Sequence, residues 1–251
     1  MTDILREYTP ITLEEMKSVR LMNRIDTKYL TTRTVLSHFL EQALAEYRLQ
    51  EIDGEYLMPY HTLYFDTKQC SMYMDHLHGH KTRQKIRIRT YETSDVSFLE
   101  IKNKNNKGRT KKKRIQCNRF EDSDCTEFIG KYARYTYSDL FKQIENRFTR
   151  ITLVNRKMTE RLTIDTGLKF HNCQTGINCK LENLVIIELK RDGHTVSESS
   201  AMLRNLRIQP AKFSKYCMGM ALTDSGLKHN RFKPRLRTID KLCNINKDIQ
   251  F

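Results

Sequence analysis

The sequence of 251 residues contains no tryptophan, four prolines and nine glycines. It has no Gly-x-Gly-x-x-Gly turn, no Gly-x-x-x-x-Gly-Lys-Ser/Thr loop and no Gly-x-Ser-x-Gly elbow. Nucleotide binding through a Rossmann or P-loop fold, which needs such glycine-rich turns to bring backbone N–H groups to phosphate, is therefore disfavoured. No apolar run approaches the roughly 20 residues that span a bilayer, and no signal-peptide pattern opens the chain. The seven cysteines are odd in number and lack Cys-x-x-Cys spacing. They read as free thiols in a reducing compartment, so a cytoplasmic protein is expected. No internal repeat or low-complexity linker divides the chain, which favours one domain.

Negative charge is the other scarcity. A formal charge of +15 exceeds what solubility needs and calls for an anionic partner: phosphate chains, nucleotides, nucleic acid or an acidic membrane face. The charge is patterned. In Arg83-Gln84-Lys85-Ile86-Arg87-Ile88-Arg89, strand alternation puts Arg83, Lys85, Arg87 and Arg89 on one face and the isoleucines on the other. Like charges side by side repel unless an anion lies among them. Residues 101–119 carry nine Lys or Arg and no acid, which reads either as an aggregation-resistant edge hairpin or as a nucleic-acid patch. No RNA-binding motif and few interleaved aromatics accompany the run, so nucleic acid is disfavoured.

Periodicity predicts a short capped helix at Thr12 to Glu15, a strand from Asn23 to Tyr29, and a helix from Thr31 to Leu44. Strands follow at Tyr47–Ile52 and Tyr60–Asp66, then a helix at Ser71–His78 and strands at Arg83–Tyr91, Phe98–Lys104 and Lys111–Gln116. Helices are read at Glu121–Arg134 and Asp139–Arg147, and strands at Arg150–Val154 and Glu160–Asp165. Asp165-Thr166-Gly167 reads as a tight turn before a further strand at Leu168–His171. A strand at Leu184–Arg191 and helices at Thr195–Leu206 and Ser214–Met220 complete the reading. The domain is expected to span residues 1–228, with 229–251 a basic C-terminal tail. About eight hairpin-connected strands with segregated helices make an α+β fold. Were the strands closed into a barrel, their polar faces would line a charged interior holding water and a ligand.

The recurring polar faces are Arg87 with Arg89, Glu100 with Lys102, Arg156 and Arg161, Glu188 with Lys190, and then Lys215. Phosphate recognition needs donors converging from several directions, and arginine offers bidentate forks. A glutamate in such a set suits Mg²⁺ or Mn²⁺ bridging phosphate oxygens. The plainer reading, a solvated sheet face with cross-strand ion pairs, accounts for any one strand but not for four. His76-x-His78-x-His80 lacks a cysteine or carboxylate at a familiar zinc spacing and reads as a polar segment.

The ordered set Arg24-x-Asp-x-Lys28-Tyr29, Lys85-x-Arg87-x-Arg89, Phe98-Leu-Glu100-x-Lys102, Asn155-Arg156, Arg161 to Asp165, Ile187-Glu188-Leu-Lys190 and Lys212-Phe-Ser214-Lys215-Tyr216 resembles the VTC polyphosphate polymerase domain. That domain belongs to the triphosphate tunnel metalloenzymes, and the resemblance covers about residues 20–222. It implies a closed eight-stranded antiparallel β-barrel with peripheral helices. It further implies an ATP-dependent polyphosphate polymerase that moves the terminal phosphate of ATP onto a growing chain. It assigns Lys28, Lys85, Arg87, Arg89, Lys102, Lys113, Arg156, Arg161, Ser214 and Lys215 to phosphate, although the register of Lys113 within its lysine run is ambiguous. Arg87, Arg89, Lys102, Arg156, Lys215 and Glu188 become the catalytic set, with Glu188 holding Mn²⁺ or Mg²⁺ and Glu100 a second metal candidate. The implied partners are ATP, inorganic polyphosphate, pyrophosphate or triphosphate, together with a membrane protein on another chain that would bring the domain to the inner face of a membrane.

Hydrolytic relatives begin with Glu-x-Glu-x-Lys. Here Arg24-Ile-Asp26-Thr-Lys28 replaces one acid with a base, which moves the expectation away from hydrolysis. Two alternatives stay open: an inorganic triphosphatase or nucleoside triphosphate hydrolase, and a polyphosphate-binding module without turnover.

Overall fold

The computed structural model describes residues 2–17, 19, 24–117, 119–193 and 196–243. In chain order the elements begin α1 (Thr2–Arg6), β1 (Pro10–Ile11), α2 (Leu13–Met16), β2 (Arg24–Thr32), α3 (Arg33–Ala43), β3 (Tyr47–Gln50) and β4 (Met58–Asp66). They continue α4 (Ser71–His78), β5 (Arg83–Tyr91), β6 (Val96–Lys104), β7 (Thr110–Gln116), α5 (Ser123–Tyr132), β8 (Phe141–Asn155) and β9 (Glu160–Asn172). The chain then forms β10 (Asn178–Leu181), β11 (Leu184–Asp192), α6 (Glu198–Asn205), α7 (Lys215–Thr223) and α8 (Lys233–Cys243).

Eight strands form one curled antiparallel sheet in the order β2-β11-β9-β8-β4-β5-β6-β7, with β3 and β10 as short additions on β8 and β9. The α+β class is as expected, but the barrel is not closed. Among the described residues the only strand that β2 pairs with is β11, apart from an isolated bridge of Tyr29 to Pro210, and β7 pairs only with β6, leaving a half-barrel with a seam. The composition of β7 explains the seam. Lys111, Lys112, Lys113 and Arg114 are all exposed, and pairing them with β2 would bring them against Arg24 and Lys28.

Alternation sorts each strand into two faces. Tyr29, Ile151, Ile164, Val185, Ile187 and Leu189 point outward and pack under Leu36, Phe39 and Leu40 of α3. Ile86, Leu99 and Ile101 point outward under Cys125 and Ile129 of α5. One part of the concave face is also apolar: Leu30, Ile144, Phe148, Leu168, Phe170 and Ile186 are covered by α7 and by Leu236 and Ile239 of α8. The rest of the concave face is polar. Gly219 allows the α7 contact, since a Cβ there would sit 2.6 Å from Ile144 Cδ1 and from Phe170 Cδ1. Asp66 ties three elements together. Its carboxylate accepts from the N–H groups of Thr67, Met72 and Tyr73 at 2.7–2.9 Å and from the Tyr216 hydroxyl at 2.6 Å. It thereby caps α4, whose own N-cap residue is Cys70, and fixes α7 to the end of β4.

Several expectations are corrected. Residues 141–147, read as helix, begin the 15-residue strand β8. Leu140, Phe141, Ile144 and Phe148 fit a helical stripe, but Ile144 and Phe148 share the concave face, and the pairing with β4 and β9 overrides local propensity. Asp165-Thr166-Gly167 is a bulge within a continuous β9, not a turn: Gly167 has φ +63° and the register against β8 shifts there. The segment read as a basic tail contains α8, held by the buried Leu236 and Ile239. Cys117 and Cys125 form a disulfide, because the first turn of α5 returns over the end of β7, and five cysteines are free. Among the described residues no helix is long and apolar enough to cross a membrane.

Candidate functional site

The register places the polar concave residues in rows. Arg87 lies opposite Glu100, which lies opposite Arg114, while Lys85, Lys102 and Lys112 form the next row. On the other wing Lys28 faces Glu188, which faces Thr163, and Asp26, Lys190 and Arg161 form a parallel row. Arg150 and Asp165 pair across β8 and β9. The α7 N-terminus closes the set, with Ser214 accepting from Cys217 N–H and from Lys85 Nζ at 2.9 Å.

Two of the acids are locked. Arg87 Nη2 and Nε donate to one Glu100 oxygen at 2.5 and 2.8 Å, and Lys112 Nζ donates to the other at 3.0 Å. Asp165 accepts from Arg150 Nε and Nη2 at 2.6 and 2.8 Å and from Lys215. Burial alone would raise both carboxyls, but these cations outweigh it and hold both well below the usual carboxylate range. Near the seam Asp26 is paired to Arg24 at 2.6 Å.

The remaining cations exceed the acids. Arg89 and Arg161 each bury an Nε with no hydrogen-bond partner. Burial, then the charges of Arg87 and Arg150, lowers Arg89 to about 10. The repulsion of Arg87, with burial second, lowers Lys102 to about 6, and Arg89 adds to the fall. Burial brings Lys85 and Lys190 to about 8 and Lys215 to about 7, the last partly offset by Asp165. Lys102 feels Glu188, and Lys85 feels Lys28, so the two wings share one field despite the seam. A concave face whose buried cations repel one another is built for an anion.

Glu188 differs from the other acids. Burial would raise it, but Lys28, Lys190 and Arg150 hold it at about 2. It makes no hydrogen bond among the described residues, and its nearest cation, Lys190 Nζ, is 3.8 Å away. An ionised, unbonded carboxylate amid an excess of cations fits a divalent metal that also takes oxygens from an anion and water, since Mg²⁺ characteristically takes one or two carboxylates alongside such oxygens. No group of three His, Cys, Asp or Glu gathers among the described residues. Glu100 does not fit, because Arg87 and Lys112 occupy both of its oxygens.

The structure brings together Lys28, Lys85, Arg87, Arg89, Lys102, Arg161, Glu188, Ser214 and Lys215, but not Arg156 or Lys113. The exposed Arg156 guanidinium donates to Ala45 O at 2.7 Å and Thr9 Oγ1 at 3.2 Å, bracing the N-terminal segment. Lys113 pairs with the outward Ile101 and lies over the Tyr132 ring, while its neighbour Lys112 faces inward. Sequence reasoning missed Arg150, Asp165 and Lys112 as site residues. Arg150 and Thr152 alternate with Ile151 in a segment already read as strand, but only the register across β8 and β9, with Arg150 opposite Asp165, brings that face into the site. His76 is half-buried with a ring nitrogen 3.1 Å from Cys217 Sγ, and burial with nearby cations lowers it to about 2, so it is a packed neutral ring.

Among curated proteins none matches this chain. The chain is similar in structure to a candidate adenylate cyclase of Bacillus halodurans at 14% identity, covering 77% of this chain and 96% of that one with a TM-score of 0.49. It is also similar to a candidate adenylyl cyclase of Hippeastrum, described as having a dominant triphosphatase activity, at 12% identity, coverages of 80% and 96%, and a TM-score of 0.46. A protein of Pyrococcus horikoshii is similar at 12% identity, coverages of 85% and 99%, and a TM-score of 0.44. The VTC domain model matches residues 23–224, which include every residue of the concave site, and the chain belongs to the VTC domain family.

Proposed function

We propose that the protein is a metal-dependent polyphosphate polymerase that transfers the terminal phosphate of ATP onto a growing polyphosphate chain. Family membership supports a triphosphate- or polyphosphate-directed activity. The choice of polymerase rests on one observation: of the concave-face acids Asp26, Glu100, Asp165 and Glu188, only Glu188 has no cation within hydrogen-bond distance, Lys190 Nζ being 3.8 Å away. Activating water calls for a carboxylate able to accept its proton, and Asp26, the acid placed where hydrolytic relatives carry a pair, is neutralised by Arg24. An ionised phosphate acceptor needs no such base.

In this reading Arg87, Arg89, Lys102 and Arg161 hold the triphosphate and stabilise charge on the transferred group, a positional and electrostatic catalysis. Lys215 and Arg150 are oriented through Asp165, and Lys28, Lys85 and Ser214 hold the acceptor or leaving end. Glu188 would hold a divalent cation, Mn²⁺ or Mg²⁺, whose charge would offset that of the phosphates. An acceptor phosphate oxygen attacks the γ-phosphorus, the γ-phosphorus bond to the β-bridging oxygen breaks, ADP leaves, and a new P–O–P anhydride forms. Incubation of the full chain with ATP and Mn²⁺, read by gel for polymer and by chromatography for ADP, tests the reading. Polymer growing in step with ADP is expected. Free phosphate from ATP or tripolyphosphate without polymer would transfer the assignment to a hydrolase, and tight binding with no turnover would make it a binding module. The cytoplasmic placement, which rests on the cysteine and signal-peptide reading, and a membrane-protein partner on another chain, which rests on the resemblance alone, remain part of this proposal.

A further inference from the structure

A cavity of about 630 Å³ lies between β2, the start of β5, the end of β6, the end of α4 and the segments that lead into α7 and α8. Its lining carries six cations, Lys28, Arg83, Lys104, Lys212, Arg231 and Arg235, against one carboxylate, Asp26, already paired with Arg24. His76, also in the wall, is uncharged. Lys28 and Ser214 belong to this cavity and to the concave site alike, so the two are continuous.

Arg231 and Arg235 come from a part of the chain that lies beyond the family match, which ends at 224. Their placement is built in. Phe232 between them is 1% exposed and meets Tyr73 and His76 edge-on at centroid distances of 5.6 and 6.0 Å. Leu236 and Ile239 then pin α8 to the core, and Arg231 Nη1 donates to His78 O at the end of α4. Arg235, Arg83 and Lys104 line the same cavity as His76. Ordinary surface arginines are dispersed among acids, whereas these converge on a concavity with no free acid. Such a field concentrates polyanions.

We propose that this chamber is an extension of the phosphate site, in which Arg231 and Arg235, with Arg83 and Lys104, hold phosphates of a linear polyphosphate chain beyond the first three. The proposal rests on the polyphosphate reading and adds a length preference to it. A long chain leaving the concave site past Lys28 and Ser214 enters this cavity, and the C-terminal arginines line it.

The test titrates the full-length protein with tripolyphosphate and with long-chain polyphosphate and reads the ratio of the two affinities. The wild type is expected to favour the long chain by about tenfold or more, the equivalent of one or two charge-assisted contacts. The Arg231→Ala, Arg235→Ala double variant should lose most of that ratio, and Arg231→Lys, Arg235→Lys should keep most of it, with thermal unfolding confirming that both fold. An unchanged ratio in the alanine variant overturns the chamber, as does an oligothymidylate of equal charge that gains the same advantage. A wild type that binds neither phosphate overturns the proposed function instead, so the two failures are distinguishable.

Discussion

Arg87 grips Glu100 from the adjacent strand through both Nε and Nη2, and the pair is shut away from solvent, with Glu100 wholly buried. Lys112 completes the carboxylate, so Glu100 is a fixed counter-charge that aims Arg87 into the concave face. Removing one member of a buried pair costs far more than the pair itself contributes, because the other charge is left unpaired. Glu100→Gln is therefore expected to destabilise the protein by about 3 kcal/mol or more, read by urea unfolding. Glu188→Gln, which disturbs no hydrogen bond, should unfold near the wild-type midpoint while losing about 100-fold or more in turnover. Equal destabilisation in both variants would remove the distinction between the structural glutamate and the one proposed to hold a metal.

Arg89 has no acid within its own row and is repelled by Arg87 and Arg150. Its buried charge is tolerated for its ligand and opposes folding. Arg89→Leu should melt at or above the wild-type temperature without ligand, yet gain almost nothing when tripolyphosphate is added. Differential scanning calorimetry with and without the anion measures both effects. A variant that melts lower but still responds to the anion would contradict the assignment.

The lowered lysines set a pH dependence whose sign follows from linkage. Lys102 at about 6, Lys215 at about 7 and Lys85 at about 8 hold fewer protons folded than unfolded, where lysine sits near 10.5. Between about pH 6 and 10 the unfolded chain binds more protons, so their contribution makes unliganded stability rise with pH across that window. A bound polyanion restores the charged forms. Binding should therefore take up protons and weaken as pH rises from 6 to 9, which calorimetric titration in buffers of different ionisation enthalpy reads directly. Proton release on binding would reverse the sign and refute this account.

Arg150 and Arg156 belong to the same stretch of chain and have opposite expected phenotypes. Arg156→Ala removes two hydrogen bonds at an exposed brace, costing about 1 kcal/mol or less, with phosphate affinity kept. Arg150→Ala leaves Asp165 buried with Lys215 alone, costing about 3 kcal/mol and most of the turnover. Parallel chemical denaturation and tripolyphosphate titration of the two variants check the pair. Loss of phosphate binding in the Arg156 variant would restore that residue to the site.

Alternation made the site largely legible. The cationic face of Arg83 to Arg89 and the Glu188–Lys190 face follow from two-residue periodicity, whatever the rest of the chain does, because the pleat alone decides which side chains share a side. The α+β class and the demand for an anionic ligand follow from the same periodicity and from charge. Three things did not follow. Lys112 and Lys113 are chemically identical and adjacent, and only the hairpin register, with Lys112 opposite Lys102, turns one inward and the other out. Residues 141–147 carry an apolar spacing that suits a helix, and only pairing with β4 and β9 makes them strand and sets Arg150 opposite Asp165. Whether the sheet closes depends on β7 meeting β2, a contact between the two edges of the sheet that like charge opposes and no local pattern reports. Periodicity is a property of neighbours along the chain and is written in the sequence; register and closure are relations between distant strands and are decided only when they fold together.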